Sequence, residues 1–154
     1  GLTSLAMIDL DFLRDINNTH GHLAGDAVIT AIAHVIGAGA RATDMAARFG
    51  GEEFSLLMPA TSIEAATMVA ERVRVAIEDL VIETEGKELR ATVSIGVASG
   101  AEDLEELIRR ADKALYRAKG QGRNVVVVAD ESDESSDEVV DRRARAGESQ
   151  STVR

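Results

Sequence analysis

The hydrophobic pattern of the first 128 residues alternates between short apolar runs and apolar residues at helical spacing. The run "SLAMIDL" at residues 4–10 has the length of a buried strand. From Gly25 onward, apolar residues recur every three or four positions, and Asp26 stands where it could cap a helix. These apolar residues are Val28, Ile29, Ile32, Val35 and Ile36. The pattern predicts a strand followed by a helix that begins near residue 25.

A pair of adjacent glycines separates the next two apolar runs. "MAARF" precedes Gly50 and Gly51, and "EEFSLLM" follows them. Glycine adopts the positive φ angles that tight hairpin turns require, so this stretch predicts a β-hairpin with its turn at the glycine pair.

The second half of the folded region repeats both kinds of pattern. Thr61 and Glu64 fit a capping box at the start of a helix that continues through residue 80. The segment "VIETEGKELRATVSIGVAS" predicts a second hairpin that turns near Gly86. Ser99 and Glu102 fit another capping box before a third helix.

The third helix is expected to end at "GQG", and "NVVVV" predicts a last strand that ends at Val128. The predicted order is therefore β-α-β-β-α-β-β-α-β. Two hairpins imply antiparallel pairing, so the expected fold class is α+β, with a mixed and mainly antiparallel central sheet flanked by helices.

Composition narrows the class of protein. The 154 residues include no Cys and no Trp, which excludes disulfides and thiolate metal sites and predicts an aliphatic core. The net charge of −10 argues against non-specific nucleic-acid binding, which depends on Lys and Arg. We expect neither a leader, with its charged residues followed by an apolar run, nor a membrane-spanning segment. The predicted location is therefore cytoplasmic.

Charge also marks a boundary near the carboxyl end. Residues 129–154 are rich in Ser, Asp, Glu and Arg and contain few apolar residues that could form a core. This composition predicts a disordered charged tail after a folded domain at residues 1–128.

Carboxylates interrupt the apolar pattern at two places. Asp9 and Asp11 fall at the end of the first strand, where they are either solvated or available to bind a hard cation such as Mg²⁺. Glu52 and Glu53 follow the glycine pair, where the simplest interpretation is a solvated hairpin tip. If the hairpin pairs beside the first strand, these glutamates lie near Asp9. Because the side chains of successive strand residues point to opposite faces of the sheet, we expect the two glutamates to have different roles.

Four segments together resemble one known family. They are "DLDFLRDINNTHGHLAGD" from Asp9, "GGEEF" from Gly50, "TVSIGVA" from Thr92 and "ADKALYRAKGQGRN" from Ala111. In order and spacing these motifs are similar to those of the GGDEF family of bacterial diguanylate cyclases, over residues 5–128. The resemblance implies a fold like that of nucleotidyl cyclases and the polymerase palm. It also implies the condensation of two GTP molecules into cyclic di-GMP with release of pyrophosphate.

The resemblance also implies roles for individual residues. Two divalent ions, Mg²⁺ or Mn²⁺, would be bound by Asp9, the Leu10 carbonyl and Glu52, with the catalytic Glu53 near the same centre. Gly50 and Gly51 would let the backbone approach the phosphates. The HGH sequence at residues 20–22 offers an alternative metal site, but no third ligand stands at a suitable spacing.

Substrate recognition is implied for five further residues. Asn17 and Asp26 match the positions that recognise guanine, although Asp26 also suits a helix cap. Lys119 and Arg123 match the pair that binds the β- and γ-phosphates. Arg14 stands where the family commonly has Lys, so the charge is kept but the geometry differs.

Regulation is implied as well. Arg41, Asp44 and Arg72 match an R-x-x-D site at which cyclic di-GMP inhibits the enzyme. The family acts as a homodimer and usually follows an upstream sensory or regulatory domain. The family's usual N-terminal helical segment, with its D-x-L-T signature, is not recognisable before the first strand. The alternative function is therefore a catalytically impaired domain that binds GTP or cyclic di-GMP.

Overall fold

The computed structural model describes residues 2–101 and 103–130. The predicted tail at 129–154 therefore lies outside the described residues except for its first two positions, and so does Glu102. The strands are β1 Thr3–Leu10, β2 Met45–Arg48, β3 Glu53–Pro59, β4 Ile82–Thr84, β5 Lys87–Leu89, β6 Val93–Gly100 and β7 Val126–Val128. The helices are α1 Leu13–His20, α2 His22–Gly39, α3 Ile63–Asp79 and α4 Leu104–Gly120.

Five strands form the central sheet in the order β2-β3-β1-β6-β7. All neighbouring pairs are antiparallel except β6 and β7, which are parallel. The predicted α+β class and the mainly antiparallel sheet are confirmed. The first strand, β1, lies at the centre, so the residues at its carboxyl end have neighbours on both sides.

The two faces of β1 are both covered by helices. Ala6, Ile8 and Leu10 belong to the core formed with α2 and α3. Leu5 and Met7 pack instead with apolar residues of α4. Burial on both faces explains why this strand is a continuous apolar run rather than an alternating one.

The region after β1 contains a helix that the apolar pattern did not predict. α1 has no fully buried residue, and its core-facing side is a short stripe of two partly buried apolar residues, Leu13 and Ile16. Gly21, with φ of 93°, separates α1 from α2, and α2 begins at His22 rather than near residue 25. Asp26 therefore lies inside α2, and its predicted role as a helix cap is wrong.

Both predicted capping boxes are displaced. The cap of α3 is Ser62, whose Oγ accepts a hydrogen bond from the Ala65 backbone N–H at 3.2 Å, while the Thr61 hydroxyl donates to the Pro59 carbonyl. The cap of α4 is Asp103, which accepts from the Glu106 backbone N–H at 2.9 Å. Ser99 lies within β6 instead.

The two predicted hairpins are present with changes. The second turns at Glu85 and Gly86, which have φ angles of 49° and 75°. Its strands separate, however: β4 and β5 form their own two-stranded sheet, whereas β6 pairs with β1. The first hairpin joins β2 and β3, but neither Gly50 nor Gly51 has a positive φ, so the conformational reason given for that turn is wrong.

The helix α2 is apolar and long enough to cross a membrane by length and composition alone. It has 18 residues and a mean hydropathy of 1.3. Its apolar side packs in the core through Val28, Ile32 and Ile36, which have essentially no exposed surface. A core helix meets the same criterion, and this packing accounts for the composition of α2.

Candidate active site at the end of the central strand

The centre of the candidate site is Asp9, the second-last residue of β1. Its backbone lies between Glu53 of β3 and Ser94 of β6. The Asp9 side chain is only 3% exposed, and its Oδ2 accepts a hydrogen bond from Lys119 Nζ at 2.8 Å. Lys119 comes from the last turn of α4. A buried carboxylate is stable only with such a partner, so β1 and α4 are joined by this ion pair.

Hydrogen bonding extends β1 toward the hairpin tip. The Leu10 backbone N–H donates to the Glu52 carbonyl at 3.0 Å, one residue before β3 begins. Asp9 and Glu53 are therefore opposite each other at a non-hydrogen-bonded position, where Cα atoms are about 4.5 Å apart and side chains share a face. The predicted neighbourhood of Asp9 and the two glutamates is present. Glu53, rather than Glu52, is the direct cross-strand neighbour.

The hairpin tip is held by Arg48, which sequence analysis did not single out. Its Nε donates to the Gly50 carbonyl at 3.1 Å and its Nη2 donates to the Gly51 carbonyl at 2.7 Å. The Glu53 carbonyl also accepts from the Phe49 backbone N–H at 2.7 Å. These contacts fix the backbone that leads to Glu52 and Glu53. The only sequence signal for them was an arginine directly before "FGG".

A second buried carboxylate, Asp11, organises the loop after α4. It accepts hydrogen bonds from the hydroxyls of Thr92 and Ser94, both at 2.7 Å, and from the Asn124 backbone N–H at 3.1 Å. The Arg123 guanidinium lies 3.8 Å from the Asp11 carboxylate. Asp11 is only 1% exposed and fully hydrogen-bonded, so it serves here as an anchor.

The donor set at this end of the sheet suits a hard divalent cation. Asp9, Glu53, Glu52 and the Leu10 carbonyl offer oxygen ligands, which Mg²⁺ prefers, and Mg²⁺ commonly takes only one or two carboxylates from the protein. Across residues 2–101 and 103–130, no group of three or more His, Cys, Asp or Glu side chains is arranged to hold a metal by itself. The substrate and water would have to complete the coordination. The alternative site at the HGH sequence is likewise not supported.

The helices α1 and α2 bring Asn17 next to Gly25. A Cβ atom added to Gly25 would lie 1.8 Å from Asn17 Oδ1, so only glycine permits this approach. The Asn17 Oδ1 is buried and has no hydrogen-bond partner among the described residues. Asp26 follows Gly25 and is exposed, as is Arg14 on α1. The structure thus places an unpaired acceptor next to Gly25, the residue before the exposed carboxylate of Asp26.

Of the three residues of the predicted inhibitory site, Arg41 and Asp44 are in direct contact. Arg41 Nη2 lies 3.1 Å from Asp44 Oδ1, and the Arg41 backbone N–H donates to Asp44 Oδ2 at 2.8 Å. Burial of the Asp44 carboxylate opposes its ionisation, but these hydrogen bonds outweigh burial and hold the pKa of Asp44 below its usual range. Arg72 is exposed on α3 and makes no hydrogen bond or ion pair within the described ranges.

Comparison with known proteins gives a consistent result. The family model "Diguanylate cyclase, GGDEF domain" matches residues 2–125. Diguanylate cyclase A of Treponema denticola is 47% identical over 129 residues, which are 82% of this chain and 35% of that protein. Diguanylate cyclase DgcM of Escherichia coli is 45% identical over 128 residues, which are 82% of this chain and 30% of DgcM. The chain thus spans about a third of the length of the curated relatives it matches.

Solved structures agree with the sequence relatives. The GGDEF domain of DgcB from Caulobacter crescentus, in complex with c-di-GMP, has a TM-score of 0.81 and 36% identity over 84% of this chain and 76% of that one. The active GGEEF domain of a diguanylate cyclase from Vibrio cholerae has a TM-score of 0.77 and 30% identity over 84% of each chain.

Proposed function

The chain belongs to the GGDEF family of diguanylate cyclase domains, and on that premise we propose that it condenses two GTP molecules into cyclic di-GMP with release of pyrophosphate. The observation that carries the proposal is the pairing of Asp9 with Glu53 beside Lys119. Two carboxylates and a cation at one strand end suit a nucleoside triphosphate, whose phosphates need both metal ions and cationic side chains.

Asp9, the Leu10 carbonyl and Glu52 are the residues that would hold two Mg²⁺ or Mn²⁺ ions, with Glu53 beside them. When bound, such ions neutralise charge on the pyrophosphate leaving group and promote ionisation of the attacking 3′-hydroxyl. Glu53 would accept a hydrogen bond from that hydroxyl and orient it. The Arg48 contacts with the Gly50 and Gly51 carbonyls would keep the hairpin tip beside Asp9, so that the carboxylates of Asp9 and Glu53 could act on the same triphosphate.

Lys119 and Arg123 would bind the β- and γ-phosphates. Both cations face carboxylates in the structure, Lys119 that of Asp9 and Arg123 that of Asp11. Substrate phosphates would compete for the same cations. Because Arg123 is also stacked 4.9 Å above the Phe12 ring, its guanidinium is held in one orientation before the substrate arrives.

Asn17 and Asp26 would select guanine. The orphaned Asn17 Oδ1 needs a donor, and the Asp26 carboxylate is free in solvent to accept. Guanine presents N1–H and N2–H as adjacent hydrogen-bond donors. Adenine does not offer this pair of donors, so GTP would be preferred over ATP. Arg14, exposed on α1, would add a cation near the phosphates.

Two copies of the domain are needed for turnover. Each 3′-hydroxyl must attack the α-phosphorus of the other GTP, so a transient or stable homodimer must form. An upstream sensory or regulatory domain would control that encounter. The product would bind at Arg41, Asp44 and Arg72 and inhibit turnover, with the Arg41–Asp44 pair presenting a guanidinium and a carboxylate edge to the base.

The test is incubation of the protein with GTP and Mg²⁺ or Mn²⁺, followed by chromatographic identification of the product. We expect cyclic di-GMP and pyrophosphate, at a rate that rises faster than linearly with protein concentration. A folded sample that forms no product at high concentration would contradict the proposal. Tight calorimetric binding of cyclic di-GMP with no turnover would instead favour the alternative, a regulatory binding module.

A further inference from the structure

We propose that Asn124 and Arg74 are positioning residues that hold the loop carrying Arg123 in its phosphate-binding conformation. This inference rests on the proposed function, because it assigns Lys119 and Arg123 to the β- and γ-phosphates. The loop comprises residues 121–124, between α4 and the strand β7. We call the contacts that Asn124 makes with β1, β6 and α3 the Asn124 bridge.

The backbone half of the bridge reaches the central sheet. The Asn124 N–H donates to Asp11 Oδ2 at 3.1 Å and to Ser94 Oγ at 3.2 Å. Both acceptors are buried, with Asp11 and Ser94 at 1% and 0% exposure. The carboxyl end of the loop is thereby fixed to the strand end on which Asp9 lies.

The side-chain half of the bridge reaches α3. Arg74 Nη1 donates to Asn124 Oδ1 at 2.8 Å, and the Asn124 amide donates to a Glu78 carboxylate oxygen. Arg74 is in turn held by Glu71, whose Oε2 accepts from Arg74 Nε at 3.0 Å. Arg74 is only 15% exposed at the side chain. Both the oxygen and the nitrogen of the Asn124 side-chain amide are thus paired with residues of α3, which lie 50 and 46 positions earlier in the sequence.

The loop needs such contacts because of its backbone conformation. Gly122, Arg123 and Asn124 have φ angles of 105°, 68° and 49°. Asparagine tolerates the left-handed region, but a long side chain such as that of Arg123 is strained there. A conformation of this kind persists only where surrounding contacts enforce it.

The amino end of the loop is held separately by α4. The Arg123 N–H donates a hydrogen bond at 3.1 Å to the carbonyl of Ala118, the residue before Lys119 in the last turn of α4. Loss of the side-chain half of the bridge should therefore loosen the loop beyond the Arg123 N–H while α4 remains in place. The consequence should fall on phosphate recognition, since guanine recognition belongs to α1 and α2 on other elements.

The test compares two guanine nucleotides, of which only one carries the β- and γ-phosphates that the loop would contact. 3′-Deoxy-GTP carries all three phosphates but lacks the attacking hydroxyl and cannot react, whereas GMP lacks the β- and γ-phosphates. Calorimetric affinities for both are measured in Mg²⁺ for the wild type, Arg74→Gln and Asn124→Gly. Glycine accepts the local φ angle, so Asn124→Gly removes the side-chain contacts without adding strain.

We expect the ratio of the affinity for 3′-deoxy-GTP to the affinity for GMP to fall about threefold to tenfold in each variant. The affinity for GMP itself should be unchanged. The matched control is Arg109→Gln, which removes a similar Arg–Glu pair on α4, between Arg109 and Glu106, outside the bridge. Equal preferences in wild type and both variants would overturn the inference while leaving the proposed function intact. A wild type without any preference for the triphosphate would refute the proposed phosphate site itself. If Arg74→Gln fails to fold, Asn124→Gly decides.

Discussion

Replacing Gly96 by alanine should separate α4 from the sheet and so displace the cation that faces Asp9. Gly96 lies in β6, and an added Cβ would be 2.1 Å from the Ala111 carbonyl oxygen and 2.3 Å from the Leu115 backbone nitrogen. Both neighbours are backbone atoms of α4, so no side chain can rotate away. Restoring ordinary contact requires α4 to move by about 1 Å, in a close-packed layer that does not deform freely.

Overpacking of this kind costs about 1–3 kcal/mol, and rigid backbone neighbours favour the upper end. For a domain of this size that corresponds to a fall in melting temperature of about 10 °C. Urea and thermal unfolding measure both quantities directly. The matched control is Gly37→Ala in α2, where no atom lies within 4 Å of an added Cβ. That substitution should be neutral or stabilise the domain by up to about 1 kcal/mol, because alanine is the better helix former.

The reasoning also predicts a functional consequence, because α4 carries Lys119 in its last turn. GTP turnover by Gly96→Ala should fall more than its stability alone explains, even at temperatures where the protein is fully folded. A Gly96→Ala protein as stable as the wild type would show that α4 adapts without cost and would refute the packing argument.

Two further predictions concern contacts away from the carboxylates of the site. The pKa of Asp44 is lowered in the folded state, so its ionised form contributes stability above about pH 4, and this contribution is lost as pH falls through the folded-state pKa. The difference in the free energy of unfolding between wild type and Asp44→Asn, measured by urea unfolding, should therefore shrink as the pH falls from 6 to 3. An unchanged difference would mean that pairing with Arg41 does not stabilise the ionised form of Asp44. Arg48→Lys loses the bidentate contact with the Gly50 and Gly51 carbonyls, and it should reduce GTP turnover about tenfold with only a small change in melting temperature. Turnover equal to that of the wild type would exclude a role for Arg48 in positioning the hairpin tip.

The architecture was largely accessible from the hydrophobic pattern, and the reasons are local. A strand buried on both faces, two hairpins and three amphipathic helices each leave a periodic signal. α1 left only a weak signal, because this eight-residue helix has just two apolar residues, Leu13 and Ile16, on its core-facing side. The two displaced capping boxes have a common cause: Ser, Thr and Asp cluster at helix starts, and only the backbone geometry decides which one accepts the bond. Asp26 was misplaced for another reason, since α2 begins after Gly21 without a side-chain cap.

The candidate site was accessible from motifs rather than from periodicity. Asp9 and the two glutamates are separated by more than 40 residues, and only the β1–β3 register shows that Glu53 is the direct neighbour of Asp9. Arg48 and Asn124 gave little sequence signal, because their roles consist of hydrogen bonds to backbone atoms and to another helix. Such contacts depend on the tertiary arrangement and have no fixed spacing along the chain.

The most direct measurement of the central claim compares GTP turnover by the wild type and by Glu53→Gln at matched, saturating Mg²⁺. The substitution keeps the shape of the side chain and removes the charge opposite Asp9. The account predicts cyclic di-GMP formation by the wild type and a loss of at least about 100-fold in the variant, with the fold unchanged by circular dichroism. A variant as active as the wild type would contradict the assignment of the hairpin tip to the reaction centre.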